Sequence, residues 1–262
     1  MPKTPQPHIP MWTLFCLLVL ALLGTMTTAP ALAASVPPPH SAAPASQASA
    51  LFFAKGNLHS SNWAGYAATG VPYTHVTGSW RQPTVQCNAD GDAFASFWVG
   101  LGGFRARAIQ QIGTGTGCVN GQAIAYSWYQ LLPNPPVTLD RTRYPLAPGD
   151  VVTAAVSTPD NGARFSLTLH SSRGWTFTTT QSVTGARLVS AECIAEAPSY
   201  GGILALADFG SVAFTQCTAD DTAIGATAHP AALTMYAQDA ILAAPSWLTP
   251  SGDAFTVLRV QG

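Results

Sequence analysis

No stretch of this chain repeats its apolar residues at the helical interval of about 3.6 over the length of a helix. From Ser60 onward, apolar and polar residues alternate in short runs, each closed by Gly, Pro, Asn or Asp. Side chains of a strand point alternately to opposite faces, so each run buries one face and wets the other. The runs are Asn62–Thr69, Thr77–Gln82, Ala93–Leu101, Ala108–Ile112, Ala123–Gln130, Val151–Ser157, Arg164–Leu169, Trp175–Thr180, Ser190–Glu196, Ser211–Thr215, Leu233–Ala237 and Ala254–Val260. Asp160-Asn161-Gly162, Ser172-Arg173-Gly174 and Ser251-Gly252-Asp253 are turn sequences that tolerate positive φ. The pattern predicts an all-β antiparallel sandwich with at most one or two short helical turns.

The N-terminus reads as an address label: Lys3, an apolar run from Met11 to Leu23, then the small-x-small signal Ala31-Leu32-Ala33. Residues 1–33 are expected to be a signal peptide, which places the protein outside the cell. The apolar run is shorter than the roughly 20 residues of a membrane span, so no membrane partner is expected after cleavage. Residues 34–58 are rich in Pro, Ala and Ser and cannot bury a core, which marks a tether or pro-segment ahead of a domain at 59–262. After Ala33, ten Lys and Arg face twelve Asp and Glu, a balance of 10 − 12 = −2. The arginines are scattered, which argues against nucleic acid as a partner. A monomer is expected.

Cys16 leaves with the signal peptide, and Cys87, Cys118, Cys193 and Cys217 remain. Four cysteines in an exported domain favour disulfides, with three connectivities open. No CxxC, HExxH or close His pair occurs, so neither a metal nor another cofactor is expected.

The whole chain has two glutamates, Glu192 and Glu196, four residues apart in Ala191-Glu192-Cys193-Ile194-Ala195-Glu196. Period two puts both on one strand face. One partly desolvated carboxylate there could serve as general base and then general acid. A glycoside hydrolase using the pair is an alternative, although four strand residues span about 13 Å, against roughly 5 to 9.5 Å for glycosidase carboxyl pairs. A glycan-binding sandwich whose tryptophans stack on sugars is the other alternative.

From about Ser61 to Thr218 an ordered series of segments resembles the glutamic peptidases, the eqolisin family of acid endopeptidases. The segments are Asn62-Trp63-Ala64-Gly65-Tyr66, Gly78-Ser79-Trp80-Arg81-Gln82-Pro83, Phe97-Trp98-Val99-Gly100-Leu101, Ile109-Gln110-Gln111-Ile112-Gly113, Ser127-Trp128-Tyr129-Gln130 with Pro133, Pro148-Gly149-Asp150 and the stretch around the two glutamates. The resemblance implies a jelly-roll or concanavalin-like sandwich of two curved antiparallel sheets and hydrolysis of protein and peptide substrates. It puts the catalytic glutamine on Gln111 and the catalytic glutamate on Glu196. Gln110 faces the other way on a strand, and Glu192 becomes a supporting acid. Trp63, Trp98, Trp128 and Gln130 fall on positions that line the substrate cleft.

The chain departs from the family pattern at Gly102 and Gln130, where acids are common, and at Leu132, where an aromatic is usual. Cys193 also stands in place of an aromatic, and Cys217 is an extra cysteine. The two are therefore expected to pair with each other, leaving a Cys87–Cys118 bridge. Other peptidase classes lack their signatures: there is no Asp-Thr/Ser-Gly pair, no GxSxG turn and no zinc motif.

Overall fold

The computed structural model describes residues 58–87 and 91–260. The expected signal peptide and nearly all of the expected tether lie outside them. Leu58, where the tether was expected to end, already belongs to the first strand.

Sixteen strands and one 3-10 turn, Ile224–Ala226, make up the regular structure of the described residues. In chain order they are β1 Leu58–Ser60, β2 Trp63–Thr69, β3 His75–Arg81, β4 Ala93–Gly102, β5 Ile109–Val119, β6 Gln122–Leu131, β7 Val137–Thr138 and β8 Val151–Ser157. Then come β9 Arg164–Ser171, β10 Thr176–Ser182, β11 Ser190–Glu196, β12 Ser211–Ala219, β13 Thr222–Ala223, β14 His229–Ala237, β15 Ala240–Pro245 and β16 Phe255–Arg259. One hydrogen-bonded path runs β10-β9-β8-β3-β12-β16-β15-β14-β2-β11-β4-β5-β6-β7, and every pairing along it is antiparallel. The path folds on itself so that β4 and β5 pack on β8, and β11 packs on β3 and β12. This is the antiparallel β-sandwich the alternation predicts.

Between the layers lies the main core, built on Trp80, Phe97, Phe165, Leu167, Phe214 and Val257, all essentially solvent-free. Strict alternation is clearest in β8 and β9, whose inward residues Val152, Ala154, Val156, Phe165, Leu167 and Leu169 are buried while their neighbours reach solvent. The turn sequences behave as their chemistry requires: Asn161 and Gly162 adopt φ of 54° and 98°, and Gly174 and Gly252 adopt 88° and 77°.

β5 and β15 depart from the sequence expectation. β5 continues past Ile112 to Val119 because Gly113, Gly115 and Gly117 stay extended between β4 and β6. β15 was not anticipated, since Ile241-Leu242-Ala243-Ala244 has no polar alternation. A tight turn through Gln238 and Asp239, at φ 46° and 65°, folds it back on β14.

Cys87 and Cys118 form the expected disulfide, with Cα atoms 5.5 Å apart. The expected Cys193–Cys217 bridge is corrected: both residues carry free thiols, fully buried on facing layers. They share the space opened by Gly78, where a Cβ would stand 3.1 Å from one sulfur and 3.3 Å from the other. In that room they pack as two separate apolar side chains. Burial, with the Cys193 thiol alongside, pushes the Cys217 thiol well above its ordinary range.

Candidate active site

The outer face of the β2-β11-β4-β5-β6 layer is a grid of three cross-strand rows. Glu192, Gly100, Gln111 and Gln130 lie in one row, and Ile194, Trp98, Gly113 and Trp128 in the next. Glu196, Ser96, Gly115 and Tyr126 form the third. Trp63 of β2 closes that third row beside Glu196. The alternation that turns residues 95, 97 and 99 into the core turns 96, 98 and 100 onto this face. Above it opens a cleft of about 520 Å³, lined by Trp63, Gln111, Tyr126, Trp128, Gln130 and Glu196 among others.

Among the described residues that line this cleft, Glu196 is the sole carboxylate. Its Oε1 accepts a hydrogen bond from Asn62 Nδ2 at 2.9 Å, and its Oε2 accepts one from Trp98 Nε1 at 2.7 Å. Desolvation outweighs these bonds and pushes its pKa up from 4.5 to about 7. A carboxyl so placed exchanges a proton near neutrality.

Gln111 stands on the same face of β5 and turns its amide to the cleft. Its Nε2 donates to Gln130 Oε1 at 3.0 Å, and Gln130 Nε2 donates in turn to the Asn134 carbonyl at 3.0 Å. This relay fixes which end of the Gln111 amide is nitrogen. The Gln111 Oε1 is buried with no protein partner, as is the indole N–H of Trp128. Buried polar atoms without partners are rare enough to mark places where water or substrate completes the bonding.

Of the residues expected from sequence, Gln111, Glu196, Trp63, Trp128 and Gln130 all line the cleft. Trp98 does not; it lies fully buried beneath, edge-on to Trp63 at 4.9 Å, and meets the site through its N–H. Gln110 points into the interlayer core, with its amide unpartnered. Glu192 is completely buried, accepts from the Phe104 amide at 3.3 Å and is absent from the cleft lining. Burial raises its pKa well above the usual carboxylate value. The two glutamates therefore do not share one cavity, which removes the geometry a glycosidase pair requires.

Asn62, Ser96 and Tyr126 were not anticipated as site residues. Asn62 is held beside Glu196 because its carbonyl accepts the Ala197 amide at 2.9 Å. Tyr126 lies flat across Gly115: a Cβ there would sit 2.6 Å from the phenol oxygen. A tyrosine opposite a strand glycine was the sequence signal, but it needs the register to be seen. No group of three or more His, Cys, Asp or Glu able to hold a metal occurs among the described residues.

Residues 61–246 match the Peptidase A4 family. The chain belongs to the Peptidase A4 family. Within it, Aspergillopepsin-2 of Aspergillus niger is 30% identical over 225 residues, covering 77% of this chain and 78% of that protein. The fold matches scytalido-glutamic peptidase bound to a transition state analog inhibitor at a TM-score of 0.64, with 19% identity over 76% of this chain and 98% of the other. Aspergilloglutamic peptidase from Aspergillus niger superimposes at a TM-score of 0.56 with 28% identity, covering 64% of this chain and 99% of that one. This Peptidase A4 member is a peptide hydrolase.

Proposed function

We propose that the chain is an exported, acid-acting endopeptidase in which Glu196 carries the proton and Gln111 holds the water and the oxyanion. The observation that supports this reading is the cleft itself: one carboxyl with its pKa raised to about 7, in one cleft with a neutral amide whose oxygen has no protein partner.

A water held by Gln111 Oε1 and Glu196 attacks the peptide carbonyl carbon. Glu196 enters the cycle protonated, gives that proton to the carbonyl oxygen as the C–O bond forms and takes the water's proton in exchange. A Gln111 N–H donates to the developing oxyanion, a charge that a preorganised donor stabilises more than the ground-state carbonyl. Protonated Glu196 then gives its proton to the amide nitrogen, the C–N bond breaks, a hydroxyl proton of the intermediate returns to Glu196, and an acid and an amine leave. Each turnover uses both protonation states, which a pKa close to the working pH serves best. Asn62 and Trp98 hold the carboxyl in one orientation throughout. Trp63 and Trp128 wall the cleft and carry substrate side chains.

Hydrolysis of an unfolded protein substrate in acid tests this. Wild type should cleave it, Gln111→Ala should be severely impaired, and Glu196→Gln should be inactive yet folded by circular dichroism. Glu192→Gln should retain activity. Loss in Glu192→Gln with retention in Glu196→Gln would overturn the assignment. Export is tested by sequencing the N-terminus of protein recovered from culture medium, where cleavage after Ala33 is expected.

A further inference from the structure

A second cavity, of about 340 Å³, opens on the far side of Trp63. It shares Asn62 and Trp63 with the cleft that holds Glu196, so the two cavities adjoin at that wall. Its remaining walls include His59, Phe104, Arg105 and Leu233. Among the described residues no carboxylate lines it.

Arg105 brings a guanidinium to the wall of this cavity. It makes no ion pair among the described residues. Its guanidinium carbon lies 5.3 Å from the centroid of the Phe104 ring. Stacking of this kind leaves the N–H donors for a planar anion.

Two features set Arg105 there. Its backbone adopts φ 56°, a left-handed conformation that long side chains rarely take, directly after Gly103 at 99° and Phe104. The Phe104 amide is pinned from below by Ser190 Oγ and Glu192 Oε1, each at 3.3 Å. The fully buried glutamate with no part in the proposed chemistry thus anchors the loop that presents the arginine. Strain of this kind persists where the surroundings impose it and gathers at binding sites.

We propose that the cavity is a substrate subsite for an acidic side chain, with Arg105 as its specificity-determining residue. The inference rests on the assignment of Gln111 and Glu196 as the catalytic pair, because that assignment makes the shared wall at Trp63 part of a substrate path.

The experiment uses internally quenched peptides in which one residue is either cysteic acid or asparagine, moved through successive positions on both sides of the cleaved bond. A sulfonate stays ionised in acid, so substrate protonation does not enter. One position should favour cysteic acid in kcat/KM by about fivefold, the scale of a solvent-accessible ion pair. The ratio should fall toward one in Arg105→Ala, invert in Arg105→Glu and largely survive in Arg105→Lys. Added salt should weaken it in the wild type, a readout that needs no variant. Equal rates at every position, or a preference that persists in Arg105→Ala, would overturn the subsite while leaving the catalytic pair standing. Failure to cleave any peptide would instead overturn the catalytic pair, and the subsite with it.

Discussion

Trp98, buried to the last atom, donates its indole N–H to Glu196 Oε2 at 2.7 Å. A tryptophan on the cleft face of β4 thus acts on the site through one hydrogen bond to the carboxylate. That bond favours the ionised acid and opposes the desolvation that raises its pKa. Trp98→Phe removes the donor, so the Glu196 pKa should rise further, and the alkaline limb of the kcat/KM profile should move to higher pH. A hydrogen bond to a charged group is worth about 1.5 to 3 kcal/mol, which bounds the shift at roughly one to two pH units. An unmoved limb would show that the bond does not tune the acid.

In the wild type, kcat/KM should be highest on the acid side of neutrality and fall as pH rises through about 7, where Glu196 loses the proton it must deliver. The glutamine contributes no titration. Inhibitors recognised by two carboxyls sharing a proton, such as pepstatin, should have no effect, and neither should EDTA. A maximum above neutrality, or strong inhibition by either compound, would reject the mechanism.

Stability should follow pH in the same sense. Glu192 and Glu196 both have pKa values raised by burial, so the folded chain holds these protons more tightly than the unfolded one. Above about pH 4.5 the folded state binds more protons, and unfolding becomes easier as pH rises. The Glu196 contribution, about 3 kcal/mol, is complete below its unfolded pKa and gone above about 7. Thermal midpoints measured across this range should decline with pH, and Glu192→Gln should flatten the slope. A midpoint that climbs with pH would contradict the burial of both acids.

The thiols of Cys193 and Cys217 should resist alkylation in the native protein and react once it is unfolded, because both are sealed between the layers. Peptide mapping after labelling with and without guanidinium separates the two states. Labelling of either residue in the folded enzyme would place it nearer the surface than the structure does.

Gly115→Ala should cost about 1 to 3 kcal/mol in denaturant unfolding, since the new Cβ would stand 2.3 Å from the Tyr126 ring carbon that bears the hydroxyl. The displaced phenol should enter the cleft and raise KM. Gly202→Ala, where no atom lies within 4 Å, is the control and should change neither quantity.

The strands with one wet face, β8 and β9 above all, were legible because the solvent side writes polar residues at every second position. Gln111 and Glu196 came through the ordered segments, with strand parity separating Gln111 from Gln110. The depth of Trp98 was not legible, since periodicity gives a side chain's face but not what lies above it. Asn62 and Tyr126 escaped for a related reason: their approach to Glu196 depends on the register between strands distant in sequence. The free state of Cys193 and Cys217 escaped because an even cysteine count does not report the room around Gly78.

The alternate glycines of β5 have one further effect. At Gly113 a Cβ would meet the Phe97 carbonyl and the Trp98 Cα and Cβ, and at Gly115 it would meet the Tyr126 ring, so neither position has room for a side chain. Two successive glutamines, Gln110 and Gln111, would let a strand slipped by one residue still offer an amide to the cleft. The same slip would drive Ile112 into the Phe97 carbonyl and Trp98, and Thr114 into the Tyr126 ring. Residues that ordinarily weaken a strand thereby admit β5 in a single frame, and the misaligned frame that could have mimicked the site is the one sterically shut out.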